Sequence, residues 1–430
     1  MKKLLTVFLA VLVIGLAFSE AITIEFWHSM GGGQGETLAA LVENFNKTNP
    51  DIQVEPIYVG GYSDLNRKLL STITAAKEGS ASDLPAVTQA YGNWIAKYLY
   101  SDVIEPLNPY IENDPQMKRV WDEEIYEVFK EGSTWGDTIY SIPFNKSVYV
   151  YYYNTDLFDL YGVTPPETMG EFMEITKYLT EDLDGDGRTD QYGIGARTFI
   201  DDFQIFLFAY NGEILEYVAD GKYRVSLDRE TTKKALSDIM ELKKGGYGSF
   251  GTGYLDGIFG SGEIAAYMGT IAGKSYVERS SQGKHGWSWA ALPSVDGVPH
   301  SPIAGTDIAM FNWITDAQKD AAYRFIKYLL DPVNMAFWGI NTGYLPVRRD
   351  VSETKQWQEY IASDEKAVIA QETLETAIAD PKPAAWNDIR NEISTIFANF
   401  ISEQITADQF YDRAVKSCET LLEENNELAK

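Results

Sequence analysis

The aspartates between positions 182 and 190 form the clearest chemical pattern in the sequence. They occupy positions 1, 3, 5 and 9 of an EF-hand-type loop, with Gly187 at position 6, where such a loop turns sharply. Position 12 is Gly193 instead of the usual glutamate, so another residue or water must complete the shell. The pattern predicts a structural Ca²⁺, and an aspartate- and glycine-rich turn without metal is the alternative. The predicted ligands are Asp182, Asp184, Asp186, Asp190 and the backbone carbonyl of Arg188.

Residues suited to catalysis or to transition metals are sparse. The three histidines, His28, His285 and His300, form no closely spaced pair, and Cys418 is the single cysteine. No Gly-x-Ser-x-Gly elbow and no Walker loop occur. We therefore expect a protein that is not an enzyme and requires no cofactor. A secreted glycoside hydrolase with paired carboxylates is the alternative, because so acidic a chain offers many such pairs.

Residues suited to binding a hydroxylated small molecule are abundant. The chain contains 27 Tyr and 10 Trp, several of them beside amides and hydroxyls at predicted loops or strand ends. Aromatic faces stack on sugar rings while polar groups bond to the hydroxyls. Most aromatic residues are expected in the core, so only a few would contact ligand. The candidates are Trp27, Tyr62, Tyr91, Trp94, Tyr149, Tyr344 and Trp386, with Asn93, Asn145, Ser147, Thr306, Asp307 and Asn387. His28 is expected to pack or hydrogen-bond beside this site.

Alternating strand and helix patterns predict the scaffold that would position these residues. Ile22–Phe26, Ile52–Tyr58 and Leu84–Thr88 have the apolar, β-branched composition of strands, and amphipathic helices follow them. Repeats of this length predict right-handed crossovers and a mostly parallel sheet. Ligands of such sheets lie at the carboxyl ends of the strands. Residues 148–153 are predicted to pass into a second lobe and residues 308–311 to return.

The amino terminus and the overall charge indicate an exported protein. Lys2 and Lys3 precede the apolar run Leu4–Phe18, and Ala17 and Ser19 are the small residues of a cleavage site, as in secretory signal peptides. The formal net charge of −27 is the wrong sign for nucleic acid or an anionic membrane. We therefore expect a periplasmic or extracellular monomer that does not bind nucleic acid.

Several short segments carry a family resemblance that covers nearly the whole chain after the signal peptide. They are Phe26-Trp-His-Ser-Met30 with Phe45-Asn46, Gly61-Tyr62, Pro143-Phe-Asn-Lys-Ser147 with Tyr152-Tyr-Asn154, Tyr210-Asn-Gly212, and Thr342-Gly-Tyr-Leu-Pro346. Together they resemble the maltose-binding-protein-like solute-binding proteins (family 1) of carbohydrate ABC importers, and most of all the members that bind glycerol-3-phosphate.

The resemblance implies an α/β periplasmic binding protein-like fold of type II, with two doubly wound lobes joined by a hinge. It implies a signal peptide at 1–19, an N-terminal lobe at 20–146 plus 301–345, and a C-terminal lobe at 147–300 plus 346–430. The implied function is to capture a small carbohydrate or polyol between the lobes. The implied partner is the membrane permease of an ABC importer, to which the ligand is delivered.

The family's ligand contacts correspond to Tyr62, Ser147, the backbone of Gly305, and Tyr344. Two positions differ. The glutamate that binds the glycerol hydroxyls falls near Gly92, with Asn93 and Trp94 beside it, and the arginine that binds phosphate falls near Trp386. An indole in place of a guanidinium removes the charge-assisted bond that a phosphate needs, which favours a neutral ligand. Glycerol-3-phosphate or a glycerophosphodiester stays open, because three other cations are available: Lys146, Lys274 and Arg348.

Overall fold

The computed structural model describes residues 21–79, 84–219 and 221–428. The predicted signal peptide lies outside these residues. Within them, no helix combines the length and the hydrophobicity that a membrane span needs.

Strands and helices alternate along the described chain, as the sequence predicts for an α/β protein. The strands are β1 (Ile22–His28), β2 (Ile52–Tyr58), β3 (Val87–Ala90), β4 (Thr134–Trp135), β5 (Thr138–Ile139), β6 (Ile142–Asn154), β7 (Ile194–Arg197), β8 (Leu215–Ala219), β9 (Lys222–Val225), β10 (Gly248–Gly251), β11 (Ala266–Thr270), β12 (Trp287–Ala290) and β13 (Ile303–Met310). The α-helices are α1 (Gly32–Thr48), α2 (Tyr62–Lys77), α3 (Gly92–Leu99), α4 (Asn108–Glu112), α5 (Pro115–Arg119), α6 (Glu127–Ser133), α7 (Thr155–Tyr161), α8 (Met169–Tyr178), α9 (Ile200–Ala209), α10 (Arg229–Lys244), α11 (Asp256–Gly260), α12 (Lys274–Ser281), α13 (Asp316–Leu329), α14 (Pro332–Thr342), α15 (Lys355–Ser363), α16 (Glu365–Glu372), α17 (Trp386–Ile401) and α18 (Ala407–Leu428).

One sheet of nine strands runs through both lobes. Its order is β10-β7-β11-β6-β13-β3-β1-β2, and β12 also pairs with β6. At one end β1 is parallel to β2 and β3, and at the other end β7 is parallel to β10 and β11. Between these parallel parts, β6 and β13 run antiparallel to each other and to their outer neighbours. Each parallel part is the sheet of one lobe, and the antiparallel pair joins the two.

Alternation along β1 shows how the N-terminal lobe buries both faces of its sheet. Ile24 and Phe26 pack with α1 on one face, and Trp27 packs with α2 and α3 on the other. Successive strand residues point to opposite faces, so one short apolar strand contributes to two cores. A third apolar cluster, which includes residues of α9, α10, α17 and α18, lies in the C-terminal lobe.

Strand β6 changes partners part-way along its length. Residues 142–148 pair with β13, and residues 149–154 pair with β11 and β12. The strand therefore passes from one lobe to the other between Val148 and Tyr149. It begins six residues before the predicted strand at 148–153, and β13 begins at Ile303, earlier than the predicted 308. The lobe boundaries predicted from the sequence stay predictions.

A buried ion pair ties the two crossing strands together. The Asp307 carboxylate on β13 is fully buried, and its Oδ1 lies 2.5 Å from Lys146 Nζ on β6. The hydroxyls of Ser133 and Ser141 donate to Oδ2 at 2.8 and 2.6 Å. Asp307 was expected to bind ligand, but in this structure both its oxygens are engaged inside the protein. Lys146, considered as a cation for phosphate, is engaged by the same pair.

Replacing Lys146 should therefore destabilise the fold. Lys146→Met leaves the Asp307 carboxylate buried without its cation, and we expect a loss of about 3–5 kcal/mol in the free energy of unfolding. Urea denaturation measures the loss. Lys47→Met is the matched control, because Lys47 pairs with Glu43 at a largely exposed site and should lose less than about 1 kcal/mol. Equal losses in the two variants would show that the buried pair has no special weight.

Candidate functional site

A cleft between the two lobes forms a cavity of about 580 Å³. Residues from α2, α3, α9, α17 and the two crossing strands line it. Of the residues predicted from the sequence, the cleft brings together Tyr62, Asn93, Trp94, Ser147, Gly305 and Tyr344, and also Tyr91, Tyr149 and Asn387. The size lies within the range of about 300–1,000 Å³ that is usual for small-molecule sites.

The N-terminal lobe contributes an aromatic wall. Tyr62 is the first residue of α2, and its ring lies edge-on to Tyr91 with centroids 5.2 Å apart. Trp94, in the first turn of α3, lies edge-on to Tyr91 at 4.9 Å. Together these rings present apolar faces and polar edges to the cleft.

Tyr344 reaches the cleft because helix α14 ends immediately before it. Gly343 caps the helix in the left-handed region at φ +82°, and the chain then turns toward the lobe interface. The Tyr344 ring stacks on Trp338 with centroids 5.6 Å apart, and its hydroxyl lies 3.5 Å from that of Tyr62. Burial raises the pKa of both phenols, so each remains a neutral hydrogen-bond donor.

A buried amide holds Tyr62 in place. Asn145 Nδ2 donates to the Tyr62 hydroxyl at 3.1 Å. Gln89 Nε2 and the Thr306 hydroxyl donate to Asn145 Oδ1 at 2.9 and 2.6 Å. Asn145 and Thr306 are fully buried and do not line the cleft. Asn145 and Thr306, both predicted to contact the ligand, therefore orient Tyr62 in this structure.

Gly305 is required by the close approach of the crossing strands. Its φ is +94°, and a Cβ there would lie 1.8 Å from the carbonyl oxygen of Asn145. The pairing register shifts immediately afterwards, between Thr306 and Asp307. Only glycine fits this conformation without strain, so backbone lines the cleft at this point.

The C-terminal lobe contributes a wall of paired charges. Arg390 on α17 lies 2.5 Å from an Asp201 oxygen and 4.0 Å from an Asp380 oxygen. Arg197, at the end of β7, lies 3.1 Å from an Asp202 oxygen. Four of these five charged groups line the cleft, and Asp202 is buried behind Arg197. Both guanidiniums have carboxylate partners.

The three carboxyls of this wall, Asp201, Asp202 and Asp380, differ in pKa because burial and the nearby guanidiniums act on them to different extents. Burial by itself would raise the pKa of Asp201, but the guanidiniums of Arg390 and Arg197 outweigh burial and keep it below its ordinary value. Burial raises the pKa of Asp380 to about 6, although Arg390 opposes the shift. Burial likewise raises the pKa of Asp202 to about 6 against the effect of Arg197. Asp380 and Asp202 thus take up protons at a higher pH than ordinary aspartates.

Comparison with known families identifies the chain. Residues 40–364 match the family described as bacterial extracellular solute-binding protein. The chain belongs to this family. Membership confirms the resemblance found in the sequence and the predicted function as the solute-binding component of an ABC importer. The alternative of a glycoside hydrolase is not favoured.

Individual relatives agree with this assignment. The sn-glycerol-3-phosphate-binding periplasmic protein UgpB of Salmonella typhimurium is 28% identical over 398 residues, which cover 84% of this chain and 83% of UgpB. The structure of UgpB from Mycobacterium tuberculosis in complex with glycerophosphocholine has a TM-score of 0.81 at 20% identity, covering 94% and 99% of the two chains. The GacH receptor of Streptomyces glaucescens, solved with acarbose, has a TM-score of 0.79 at 20% identity and the same coverage. These similarities confirm the predicted two-lobed periplasmic binding protein fold.

Two predicted residues of this solute-binding protein lie away from the cleft. Trp27 donates from Nε1 to Glu25 at 2.8 Å, and the Lys68 ammonium lies 3.8 Å from its ring centroid. His28 accepts a hydrogen bond at Nδ1 from the Met30 backbone N–H at 3.2 Å, and burial lowers its pKa to about 4. His28 is therefore neutral near pH 7, and both residues pack within the N-terminal lobe.

Trp386 does not occupy the position at the ligand that the sequence predicts. It is fully buried in the apolar core of the C-terminal lobe and does not line the cleft. One helical turn later on α17, Arg390 faces the cleft, and its Cζ lies 6.0 Å from the centroid of the Trp386 ring. The expectation that an indole replaces the arginine is thus not met, because the indole stands behind an arginine.

Four charged residues that line the cleft are not among those predicted from the sequence: Arg197, Asp201, Asp380 and Arg390. Arg197 ends β7 and Asp201 follows it, where ligands bind to parallel sheets, but this short strand with a glycine inside it is not predicted from the sequence. Arg390 lies one turn after Trp386 on α17, so the turn next to the predicted residue was the signal for it. Asp380 stands in a segment without regular structure, and no pattern marks it.

The aspartate loop brings together three of its predicted metal ligands. Asp182, Asp184 and Asp190 each present an oxygen within 4.8 Å of the others, at the surface of the C-terminal lobe. In this structure their carboxylates accept backbone N–H groups of the same loop. At Gly193 a Cβ would lie 1.9 Å from the carbonyl oxygen of Thr176, which leaves no room for a ligand at position 12. Occupancy by Ca²⁺ stays a prediction.

Calcium should raise the melting temperature of this solute-binding protein after treatment with EDTA. A cation that binds only the folded state stabilises it. A gain of about 1 kcal/mol raises the melting temperature by roughly 2–4 °C for a domain of about 150–250 residues. Differential scanning fluorimetry with and without CaCl₂ measures the shift. Asp184→Asn should abolish it, and Asp159→Asn, at an exposed position outside the loop, should retain it. No shift, together with no calcium by elemental analysis, would reject the site.

Proposed function

We propose that the solute is a small neutral carbohydrate or polyol, bound between the lobes of an exported, monomeric protein that is not an enzyme. The protein then delivers the solute to the membrane permease of its importer. The observation that carries the proposal is the pairing of an aromatic wall with a wall whose cations are already neutralised. The relative named above is a binding protein, and both structural neighbours were solved with a bound small molecule, which supports capture over catalysis.

The aromatic wall suits a ring or chain bearing hydroxyl groups. Tyr62, Tyr91 and Trp94 supply faces on which C–H groups of a sugar stack. Asn93, Ser147 and the phenol of Tyr344 add neutral donors and acceptors for hydroxyls. Contacts from both lobes stabilise the closed arrangement, because a ligand between them is fully bound only when the lobes approach.

The charges favour a neutral solute over an anion. Each arginine that lines the described part of the cleft has a carboxylate oxygen within 3.1 Å: Arg67 with Asp64, Arg197 with Asp202, and Arg390 with Asp201. A phosphate would have to compete with these partners and would approach the uncompensated charge of the remaining carboxylates. Sugar hydroxyls, by contrast, hydrogen-bond to both members of such pairs.

The substitute cations considered from the sequence are engaged elsewhere. Lys274 lies 3.0 Å from an Asp364 oxygen, and Arg348 lies 2.6 Å from an Asp350 oxygen. Neither lines the cleft, and Lys146 is held by the buried pair between the crossing strands. None of the three supplies a free cation to a ligand in this arrangement.

A glycerophosphodiester is the second candidate, and two observations favour it. The relatives include UgpB of Salmonella typhimurium and a UgpB structure with glycerophosphocholine. Arg390 also stands in the wall where a phosphate-binding arginine was expected within one turn of helix. The two candidates differ in what Arg390 binds. A diester requires Arg390 to leave Asp201 and Asp380 and bind the phosphate, whereas a neutral sugar leaves these pairs in place.

A thermal-shift screen should separate the candidates. We expect stabilisation by one or more neutral sugars or polyols and none by glycerol-3-phosphate or glycerophosphocholine. For the best ligand, Tyr344→Ala should weaken binding by at least about tenfold in titration calorimetry, roughly 1.4 kcal/mol. Tyr344→Phe retains the stacking ring and should lose only the weaker contribution of one hydrogen bond, about 0.5–1.5 kcal/mol. Stabilisation by the phosphates alone would overturn the neutral ligand, and unchanged affinity in both variants would remove Tyr344 from the site.

The pH dependence of binding gives an independent test. Asp380 is surrounded by Arg390, the Trp386 indole, Asp201 and Lys146, and burial raises its pKa to about 6. Lowering the pH from 7.5 to 5 protonates Asp380 and leaves Arg390 more positive. Affinity for a neutral sugar should therefore change less than about threefold, whereas affinity for glycerophosphocholine would rise by about tenfold or more. Asp380→Asn should reduce the pH dependence of a diester if one binds, and protonation of Asp202 beside Arg197 accounts for the part that remains.

A further inference from the structure

A third stretch of chain joins the lobes beside the two crossing strands. It comprises residues 377–385, which we term the strap, and it leads directly into α17. Near its start, Ile378 donates its backbone N–H to the Ser301 carbonyl and accepts a hydrogen bond from the Ile303 backbone N–H, both at 2.9 Å. At its end, Ala385 is fully buried in the core of the C-terminal lobe. The strap therefore leaves the crossing at β13 and is anchored in the C-terminal lobe.

Lys382, in the middle of the strap, has contacts with both lobes. Its backbone N–H donates to the hydroxyl of Tyr223, which packs on the core of the C-terminal lobe, at 3.4 Å. Its ammonium donates to the backbone carbonyls of Glu131 and Thr134, at the carboxyl end of α6. The same ammonium lies 4.8 Å from the centroid of the Trp135 ring. Trp135 packs on the aromatic cluster of the N-terminal lobe, so one residue holds the two lobes together.

The strap is stiff around this residue. Pro381 and Pro383 flank Lys382, and the ring of a proline fixes φ at about −65°. Burial lowers the pKa of the Lys382 ammonium, and the carboxylates of Glu131 and Asp307 act in the opposite direction. The contact is therefore shielded from water. A stiff strap cannot bend to keep the ammonium on the N-terminal lobe when the C-terminal lobe moves.

The contact lies on the cleft side of the crossing. Asp380, two residues before Lys382, lines the cleft. A Cβ at Gly92, the first residue of α3, would lie 3.6 Å from the Lys382 Cβ. The next two residues of α3, Asn93 and Trp94, line the cleft, whereas Lys382 does not. The ammonium therefore joins the bases of the aromatic wall and the charged wall without facing the ligand.

Opening of the cleft should break this contact. Lys382 is four residues from Ile378, and at about 3.3 Å per residue it lies up to about 13 Å from the crossing. A hinge rotation of about 20° moves a point at that distance by about 4–5 Å. The bonds of the ammonium to the two carbonyls do not survive such a displacement. The open arrangement therefore lacks them, and the closed arrangement has them whatever solute is bound.

We propose that Lys382 is a latch, a positioning residue that stabilises the closed arrangement and so raises the affinity for the solute without touching it. The apparent dissociation constant is the intrinsic one divided by the fraction of protein that is closed. Loss of the latch lowers this fraction and weakens the binding of every solute by one common factor. The inference goes beyond the proposed function, because it holds for a sugar and for a diester alike.

Cross-linking of the solute-free protein tests the latch. Gln34→Cys and Ala272→Cys place thiols on the two lobes, where Gln34 Nε2 donates to the Ala272 carbonyl at 3.1 Å. A short bis-methanethiosulfonate joins these thiols only in the closed arrangement, and the native Cys418 is buried. Adding Lys382→Met should slow the cross-linking about tenfold, because two hydrogen bonds from a cation are lost.

Two other lysines give matched controls in the same cysteine background. Lys97 also joins the lobes, through Asp388 at 3.5 Å, but the two side chains are 39% and 41% exposed. Lys97→Met should therefore slow the cross-linking by less than about threefold. Lys319 pairs with Glu105 at 2.8 Å, at a largely buried site within the N-terminal lobe. Lys319→Met should lower the melting temperature and leave the cross-linking rate unchanged, which separates destabilisation from loss of the latch.

Titration calorimetry measures the effect of the latch on binding. The probes are maltose, trehalose, sorbitol and glycerophosphocholine. Lys382→Met should weaken the affinity for each probe that the wild type binds by about tenfold and by the same factor. Lys382→Gln keeps an N–H donor without the charge and should show an intermediate loss. It takes the place of Lys382→Met if that variant does not fold.

The outcomes separate failure of the latch from failure of the proposed function. A reduction in cross-linking rate no larger than that caused by Lys97→Met would overturn the latch, and binding of a sugar or polyol would still support the neutral solute. Slower cross-linking with binding of glycerophosphocholine alone would support the latch and overturn the neutral solute. Losses of affinity that differ between probes by more than about threefold would show that Lys382 contacts the solute and overturn the latch. If none of the four probes binds, the cross-linking rates decide.

Discussion

The antiparallel pairing of β6 and β13 is the constraint on which the rest of this structure depends. These strands are buried along almost their whole length and carry the chain from one lobe to the other and back. The pair of Lys146 with Asp307 fixes their relative position in a medium of low dielectric. Such a pair contributes little net free energy against an apolar replacement, but loss of either partner is costly. The pair joins β6 to β13 beside the residues whose positions the register of these strands sets: Asn145, Ser147 and Gly305.

The cleft has two chemically different walls because it lies between two different cores. The N-terminal wall is the exposed edge of an aromatic cluster, so Tyr62 and Trp94 are held by packing. The C-terminal wall is held by ion pairs such as that of Arg390 with Asp201, whose geometry the carboxylates fix in advance. Both walls are therefore preorganised, and little side-chain entropy remains to be lost when ligand binds. The proposed carbohydrate would offer apolar C–H faces to one side and hydroxyls to the other.

Much of the fold follows from residue pattern, whereas the placement of site residues depends on contacts between distant segments. The early strands were predicted because each is an apolar run followed by an amphipathic helix. The start of β13 was missed because Pro302 and Gly305 have low strand propensity, and their fit is set by the neighbouring strand. Asn145 points into a network that only the pairing creates. A turn of helix separates Trp386 from Arg390, and sequence spacing alone does not say which of the two faces the core.

Gly305 belongs at once to the hinge strands and to the wall of the cleft. Substitution of Gly305 is excluded, because any side chain would collide with the backbone of Asn145 and could not reach a ligand. The rim of the cleft is under no such restriction, since Tyr254 is almost fully exposed. Homologues of this protein would thus change ligand specificity through substitutions at the rim and keep the hinge strands unchanged. New solutes would be acquired from the outside of the cleft inward.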